Sequence, residues 1–341
     1  MKLNYFITGG AGFIGSNYAE RLLRRGEKVT LYDNLSRAGA PRNLKWLSET
    51  FGGKAFTFIK GDVRDATLLA VSAREADVIV HLAGQVAVTT SVSNPREDFE
   101  INAWGTFNML EAARLSQRKP FVIFASTNKV YGGMDDVEVV EEATRWRYKD
   151  LPSGCPETQP LDFHSPYGCS KGTGDQYVRD YYRIYGLPTV VMRQSCIYGP
   201  RQFGIEDQGW VAWFVIAAVT GRALAIYGDG KQVRDLLHVY DLLDAYDLAV
   251  EGRERVGGDV FNLGGGPENT LSVWVEFGPM LEKLLGKPMP ISRGDWRPGD
   301  QKVFIADIRK AEKSLGWKPK FDIENGIRNL FDWVVANKDL F

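Results

Sequence analysis

The sequence predicts an α/β protein, an open and doubly wound parallel sheet with a smaller α/β lobe appended towards its carboxyl end. Three observations carry this. Short β-branched runs alternate with helical stretches through the first half of the chain. Those runs lack polar–apolar alternation, as strands buried on both faces do. Beyond about residue 195 the alternation gives way to Gly- and Trp-rich loops with isolated helices. Strands are expected at residues 3–8, 28–32, 56–60, 78–82, 121–126 and 189–193, with helices between them at 15–25, 68–73, 101–115 and 167–185. Later helices are expected at 208–220 and 323–337, the last carrying Ile323, Ile327, Leu330, Phe331 and Val334 at helical spacing as a core-facing stripe. Residues 133–164, rich in charge, Pro and aromatics, read either as an excursion over a site or as a mobile surface loop.

Composition excludes several classes. The 341 residues are 44% apolar and 25% charged, and 42 Lys+Arg against 43 Asp+Glu leave a net charge of −1, so nucleic-acid binding driven by bulk charge is disfavoured. No apolar run approaches the roughly 18–20 residues that span a bilayer, and Met1 leads directly into a short apolar segment and a glycine loop. Neither a signal peptide nor an anchor is expected, and the location expected is cytoplasmic. Cys155, Cys169 and Cys196 are widely spaced and make no C-x-x-C pattern, so they read as free thiols in a reducing compartment. With His81, His164 and His238 as the histidines, no metal centre is expected.

The first expected strand ends in Thr8-Gly9-Gly10-Ala11-Gly12-Phe13-Ile14-Gly15, where Gly9, Gly12 and Gly15 fall at G-x-x-G-x-x-G spacing as a helix begins. Glycines there permit a tight turn and close backbone approach to a pyrophosphate, whose charge rests on free N–H groups and the positive end of the helix dipole. Asp33, closing the second strand, is placed to accept hydrogen bonds from an adenosine ribose and to repel a 2′-phosphate. NAD is therefore expected over NADP, although Arg37 acts the other way. Asp62, after the third strand, meets the adenine edge or caps the following helix. The domains read as a dinucleotide-binding unit over 1–193, to which a segment near 236–265 returns, and a substrate lobe from 194–235 and 266–341.

A second constellation lies downstream. Ser165-Pro166-Tyr167-Gly168-Cys169-Ser170-Lys171 puts Tyr167 and Lys171 on one face of a helix. A phenol is a poor base at neutral pH, and a nearby ammonium favours its phenolate. Thr127, at the carboxyl end of the fifth strand, is placed to orient a sugar hydroxyl towards Tyr167.

The glycine loop, Asp33, Thr127, Tyr167 and Lys171 stand beside further stretches: His81-Leu82-Ala83-Gly84-Gln85, Asn102-Ala103-Trp104-Gly105-Thr106, Arg234-Asp235-Leu236-Leu237-His238 and Arg297-Pro298-Gly299-Asp300. On these the chain resembles the extended short-chain dehydrogenase/reductase family of nucleotide-sugar enzymes over nearly its whole length. The resemblance implies a Rossmann-like sheet and NAD held by Gly9, Gly12, Phe13, Ile14, Gly15, Asp33, Asn34, Ser36, Arg37, Asp62, Val63, Leu82, Ala83, Gln85, Asn102, Tyr167 and Lys171. It implies Thr127, Tyr167 and Lys171 as catalytic residues. It also implies substrate contacts from Thr127, Asn128, Ser165, Arg234 and Arg297 (the last two on a diphosphate, or else in ion pairs) and from Asp300 on a ribose.

Enzymes of this family oxidise a sugar carbon and differ in the fate of the ketone. Dehydratases carry an Asp-Glu pair after the Thr, and this chain has Asn128-Lys129, so dehydration is disfavoured. A two-step reductase is disfavoured because it needs an exchangeable, commonly phosphorylated cofactor. Epimerisation through a transient ketone and bound NADH remains. The segments 126–132, 160–172, 193–199 and 206–214 are similar to the CDP-paratose 2-epimerase (CDP-tyvelose epimerase) group, which inverts C2 of a CDP-linked hexose. Cys196 stands where 4-epimerases usually carry an Asn, a far better hydrogen-bond partner, so Gln208, Trp210 and His164 are the candidate compensating contacts, Trp210 reading more readily as core than as site. The alternatives are a UDP-sugar 4-epimerase and a catalytically silent NAD-binding regulator. Helices at 101–115 and 167–185 resemble the pair that forms a dimer interface in this family, so a homodimer or homotetramer is expected.

Overall fold

The computed structural model describes residues 2–296 and 300–341. The chain forms two units. One comprises Met1–Val130, Ser165–Arg193 and Leu243–Phe261; the other comprises Tyr131–His164, Gln194–Leu242 and Asn262–Phe341.

In the first unit β1 (Asn4–Thr8), β2 (Lys28–Asp33), β3 (Thr57–Lys60), β4 (Val78–His81) and β5 (Phe121–Thr127) pair in parallel in the order 3-2-1-4-5. Ile7 lies opposite Leu31 and Val80, and Ile79 opposite Val122. Strands Thr189–Gln194 and Val260–Leu263 extend the sheet beyond β5 to seven. Val122, Ile123 and Phe124, consecutive on β5, are all fully buried, which requires cover on both faces. Helices α1 (Phe13–Arg24), α6 (Gly105–Leu115) and α7 (Ser165–Tyr185) pack on the sheet, while α2 (Ala40–Phe51) packs on α1, α3 (Ala66–Ala73) on α6, and α4 (Val88–Ser93) and α5 (Pro95–Phe99) on α7. Met109 and Leu110 of α6 and Val178 of α7 pack with Ile79, Val122 and Phe124 in one core. The returning segment is pinned to α1: Arg21 meets Asp244 at 2.7 Å and Asp247 at 3.0 Å, and the Tyr18 hydroxyl donates to Asp247 at 3.1 Å.

All six expected strands form, with ends displaced by a residue at most. The sequence reading lacks α2. Its N-cap, Gly39, makes no side-chain bond, and Ala40, Asn43 and Leu47 are its only buried residues, so its apolar stripe is thin. The helix expected from 101 is two-part: a π turn at Glu100–Trp104 joins α5 to α6.

The second unit packs α8 (Trp210–Thr220) against the carboxyl-terminal helix Ile323–Ala336, with Val215, Ile216, Leu224, Ile226, Phe277, Ile327 and Leu330 in its core. Strand Val233–Asp235 pairs with Thr270–Ser272 and Val303–Phe304. Asp235, fully buried, accepts from Ser195 Oγ at 2.6 Å, Ala306 N at 3.1 Å and Gly266 N at 3.3 Å, so one carboxylate satisfies three chain segments. Residues 133–164 contain an antiparallel hairpin, Val139–Glu141 with Trp146–Tyr148. Arg145 grips Glu276 through two bonds of 2.7 and 2.6 Å, and Trp146 Nε1 donates to Asp229 at 2.8 Å. The mobile-loop alternative for this stretch is therefore corrected: these bonds fasten it to the lobe. Among the described residues no helix is long and apolar enough to cross a membrane.

Candidate active site

β1 runs into the glycine turn, and α1 starts at Phe13 with Gly12 as its N-cap and no side chain capping it, which leaves its first N–H groups for a ligand. Gly9 has φ +67°, and a Cβ there would stand 2.8 Å from Ala83 N. At Gly15 a Cβ would collide with the carbonyl of Gly9 and lie 2.7 Å from Gly10 Cα. The turn therefore needs glycine, because its backbone folds too closely on itself and on Ala83 to admit a side chain. Asp33, at the end of β2 and 8% exposed, accepts from Ala11 N at 3.0 Å and Leu35 N at 2.8 Å, so it also braces the glycine turn. Burial pushes its pKa up, and the backbone donors offset part of that. Cradle, uncapped helix end and acid together fit a dinucleotide.

The neighbouring residues divide. Asn34 donates to Asp62 at 3.0 Å and accepts from Ser36 N at 3.0 Å. Arg64 grips Asp62 at 2.9 and 2.8 Å and holds its pKa down at about 2. The capping alternative for Asp62 is corrected: Asp65 caps α3, accepting from Leu68 N at 2.9 Å. Phe13 and Ile14 lie in the first turn of α1, half-buried, and Leu82 and Ala83 follow β4. Val63 puts its side chain into the core. Gln85 and Asn102 direct their amides inward: Gln85 bonds Ala87 and Asp98, while Asn102 bonds Gln85, Asp98 and Ser170.

At the carboxyl end of β5, Thr127 Oγ1 donates to Asn128 Oδ1 at 3.3 Å and accepts from Lys129 N at 3.2 Å, close enough to the Tyr167 phenol to lower its pKa. Tyr167 and Lys171 are both buried on α7. Burial pushes the phenol up to about 12, while Thr127 and the positive charge of Arg37 lower it and Asp98 raises it. Lys171 Nζ donates to Ala125 O at 2.6 Å and stands 4.3 Å from the centre of the Phe124 ring. Burial pulls the ammonium down to about 8 against the charges of Asp175 and Asp98. The charges that reach the Tyr167 phenol are those of Asp98 and of Arg37, from the loop after β2, while the Lys171 ammonium is bonded to Ala125 O.

In the lobe, Arg234 and Asp300, expected on different parts of a nucleotide, bind each other at 2.7 Å, and Arg297 lies outside the described residues. Trp210 packs edge-on against Phe214 and Phe277, as its core reading expected, yet its Nε1 is buried without a partner. Cys196 has φ +40°, Gln208 is half-buried, and His164 is exposed. Ser165, which opens α7 at φ +65°, accepts from Gly168 N at 3.2 Å and so caps that helix.

Five residues near the centre carry no sequence expectation. Asp98 is 1% exposed and takes Ser170 Oγ at 2.5 Å. Asp175 and Arg193 form a buried pair at 2.9 and 2.9 Å, joined by Ser126 at 2.7 Å. The available signal for Ser170 was its place before Lys171, whereas Asp98 in Pro95-Arg96-Glu97-Asp98 reads as ordinary acid in a first helical turn.

Residues 6–330 match the GDP-mannose 4,6 dehydratase family. The chain is 46% identical to CDP-paratose 2-epimerase of Salmonella typhi, covering 98% of this chain and 100% of that one. Among solved structures it is similar to a dTDP-glucose 4,6-dehydratase double mutant from Streptomyces venezuelae with NAD bound, at TM-score 0.85 and 30% identity over 99% of each chain. It is also similar to UDP-glucose 4-epimerase of Thermotoga maritima with UDP-glucose, at TM-score 0.83 and 30% identity over 99% of this chain and 100% of that one.

Proposed function

Because this chain belongs to the GDP-mannose 4,6 dehydratase family of extended short-chain dehydrogenases/reductases, whose cofactor is NAD, we propose that it inverts C2 of a CDP-linked hexose. The coarser statement, a nucleotide-sugar epimerase, follows from the relatives; the nucleotide and the carbon are the proposal. The observation that carries it is the placement of Thr127 at the end of β5 near the buried Tyr167 phenol, with Asn128 bonded to the Thr127 hydroxyl. Thr127 and Tyr167 suffice to hold a sugar hydroxyl and take its proton, and Asn128 supplies no carboxylate for eliminating water.

When bound, NAD supplies the acceptor for the C2 hydride and returns it. The chain does the rest. Thr127, fixed by Asn128 and the Lys129 amide, orients the sugar hydroxyl. Tyr167, in its phenolate form, accepts its proton and gives it back once the transient ketone has turned its other face. Arg234 and Asp300, released from each other, are the proposed diphosphate and ribose ligands; Arg297, outside the described residues, is proposed from the sequence as a second diphosphate ligand.

CDP-hexoses and UDP-hexoses, each deuterated at C2, test this reading. The CDP sugar should yield the C2 epimer with its deuterium retained and with no added reductant. Deuterium uptake from heavy water at C2 would refute the transient-ketone route, and a C4 epimer formed from the UDP sugar would favour the UDP-sugar 4-epimerase, the reading supported by the fold shared with that enzyme. We further propose a homodimer through α6 and α7. Trp104 stacks on Phe107 at 5.3 Å, Tyr177 meets Phe107 at 6.0 Å, and Leu115, Ile184 and Tyr185 stand more than half exposed beside them.

A further inference from the structure

Two buried carboxylates act on Lys171, and their surroundings differ. Asp175, on α7 itself, exerts the stronger pull taken alone. It is, however, already matched: the Arg193 guanidinium, from strand Thr189–Gln194, grips both its oxygens at 2.9 Å, so the pair presents a dipole with no net charge. Asp98, from α5, has neutral hydrogen-bond donors among the described residues: Ser170 Oγ on Oδ2, and the amides of Gln85 and Asn102 on Oδ1 at 3.0 and 3.1 Å. Its site is 1% exposed; burial raises its pKa, and Ser170, Gln85, the charge of Lys171 and Asn102 lower it, so its carboxylate and the Lys171 ammonium favour each other's charge. The remaining groups facing Lys171 leave that charge unmatched. His81, on β4, is held neutral by burial, its pKa pulled down to about 3, and both its ring nitrogens face threonine hydroxyls. The groups around Tyr167 are Thr127 from β5, Arg37 from the loop after β2, and Asp98 again.

We propose that Asp98 is the positioning residue of the catalytic helix: its charge is the counter-ion of Lys171, and its bond to Ser170 fixes the turn of α7 that carries Tyr167 and Lys171. Ser170 makes that coupling mechanical, since its hydroxyl also bonds the Tyr167 carbonyl at 3.2 Å and meets Asn102 Nδ2 at 3.1 Å. Without Asp98, an ammonium already desolvated has only a neutralised pair opposite it, and it loses its proton in the neutral range. This inference rests on the role given above to the Tyr167–Lys171 pair and needs neither the C2 nor the CDP assignment.

The test is a titration without substrate. The full chain with NAD bound, carrying lysine labelled with ¹³C at Cε, is followed by NMR against pH, the Lys171 signal being assigned by its loss in Lys171→Arg. The native midpoint is expected at about 8. In Asp98→Asn, which keeps the shape and removes the charge, it should fall by roughly half a unit to one unit, and the alkaline limb of the turnover profile should fall with it. Ser170→Ala keeps the charge and cuts the link: its midpoint should stay at the native value while turnover drops about tenfold. A native midpoint in Asp98→Asn overturns the counter-ion role. A Ser170→Ala midpoint lowered as far as that expected for Asp98→Asn overturns it too, and this arm decides alone if Asp98→Asn does not fold. Because no sugar is present, a failure of the C2 assignment leaves the titration unaffected.

Discussion

The glycine turn and the Tyr167 centre sit at the carboxyl ends of β1 and β5 in one sheet, and they are built from opposite materials. At the turn the working surface is backbone, shaped by what is missing: Gly9 and Gly15 lack the Cβ atoms that would strike Ala83 and Gly10. At the centre it is side chain throughout, with Tyr167, Lys171, Asp98, Asp175 and Arg193 all buried. The first end is a matter of steric room and the second a matter of charge balance. A turn of the first kind therefore fails at once when space is lost, whereas a centre of the second kind shifts by degrees with pH and with each neighbour removed.

Four changes sharpen that contrast. The largest effect is expected at Arg193→Met, which strands the Asp175 carboxylate away from water. Chemical denaturation should register a loss of about 3–5 kcal/mol, and a loss below 1 kcal/mol would show that Asp175 finds another partner. Tyr167→Phe should keep the fold and the bound dinucleotide while turnover falls by roughly 100-fold or more; near-native turnover would remove Tyr167 from the proton path. Gly15→Ala should do the reverse. It forces backbone apart at a cost of about 1–3 kcal/mol and empties the protein of NAD, read by the absorbance of released cofactor, with Tyr167 untouched.

The smallest effect is a slope. Lys171 has a folded midpoint of about 8, below the ordinary lysine value of about 10.4. Between these the unfolded chain binds more protons, so stability should rise with pH across that window. Lys171→Met should lack the rise, and parallel melting curves for the two proteins over that range would contradict the buried-ammonium assignment.

What the sequence revealed and what it hid follow the same division. The glycine turn, Asp33 and the Tyr167–Lys171 spacing are local patterns, and the strands of the sheet are runs of β-branched residues that burial on both faces makes conspicuous. The Asp98 network was not legible, because its four members come from the loop after β4, α5, the π turn and α7, and only the fold shows that a first-turn aspartate faces inwards. The capping reading of Asp62 failed because the helix starts three residues later than that reading needs: Asp65 caps it, and Asp62 is engaged by Arg64. Strand Val260–Leu263 was read only as part of a returning segment, since its seat beside Thr189–Gln194 is a long-range pairing.

Asp235 has a consequence for the order in which the chain is made. It closes over Ser195, Gly266 and Ala306, so the carboxylate is translated long before the last of the groups that neutralise its burial. A nascent chain arrested between residues 266 and 306 holds Asp235 with part of its complement, and the lobe's core waits further for Ile327 and Leu330. On the ribosome the lobe is consequently the late-maturing half. A chaperone that shelters exposed apolar surface would find it there, in the interval before the carboxyl-terminal helix emerges.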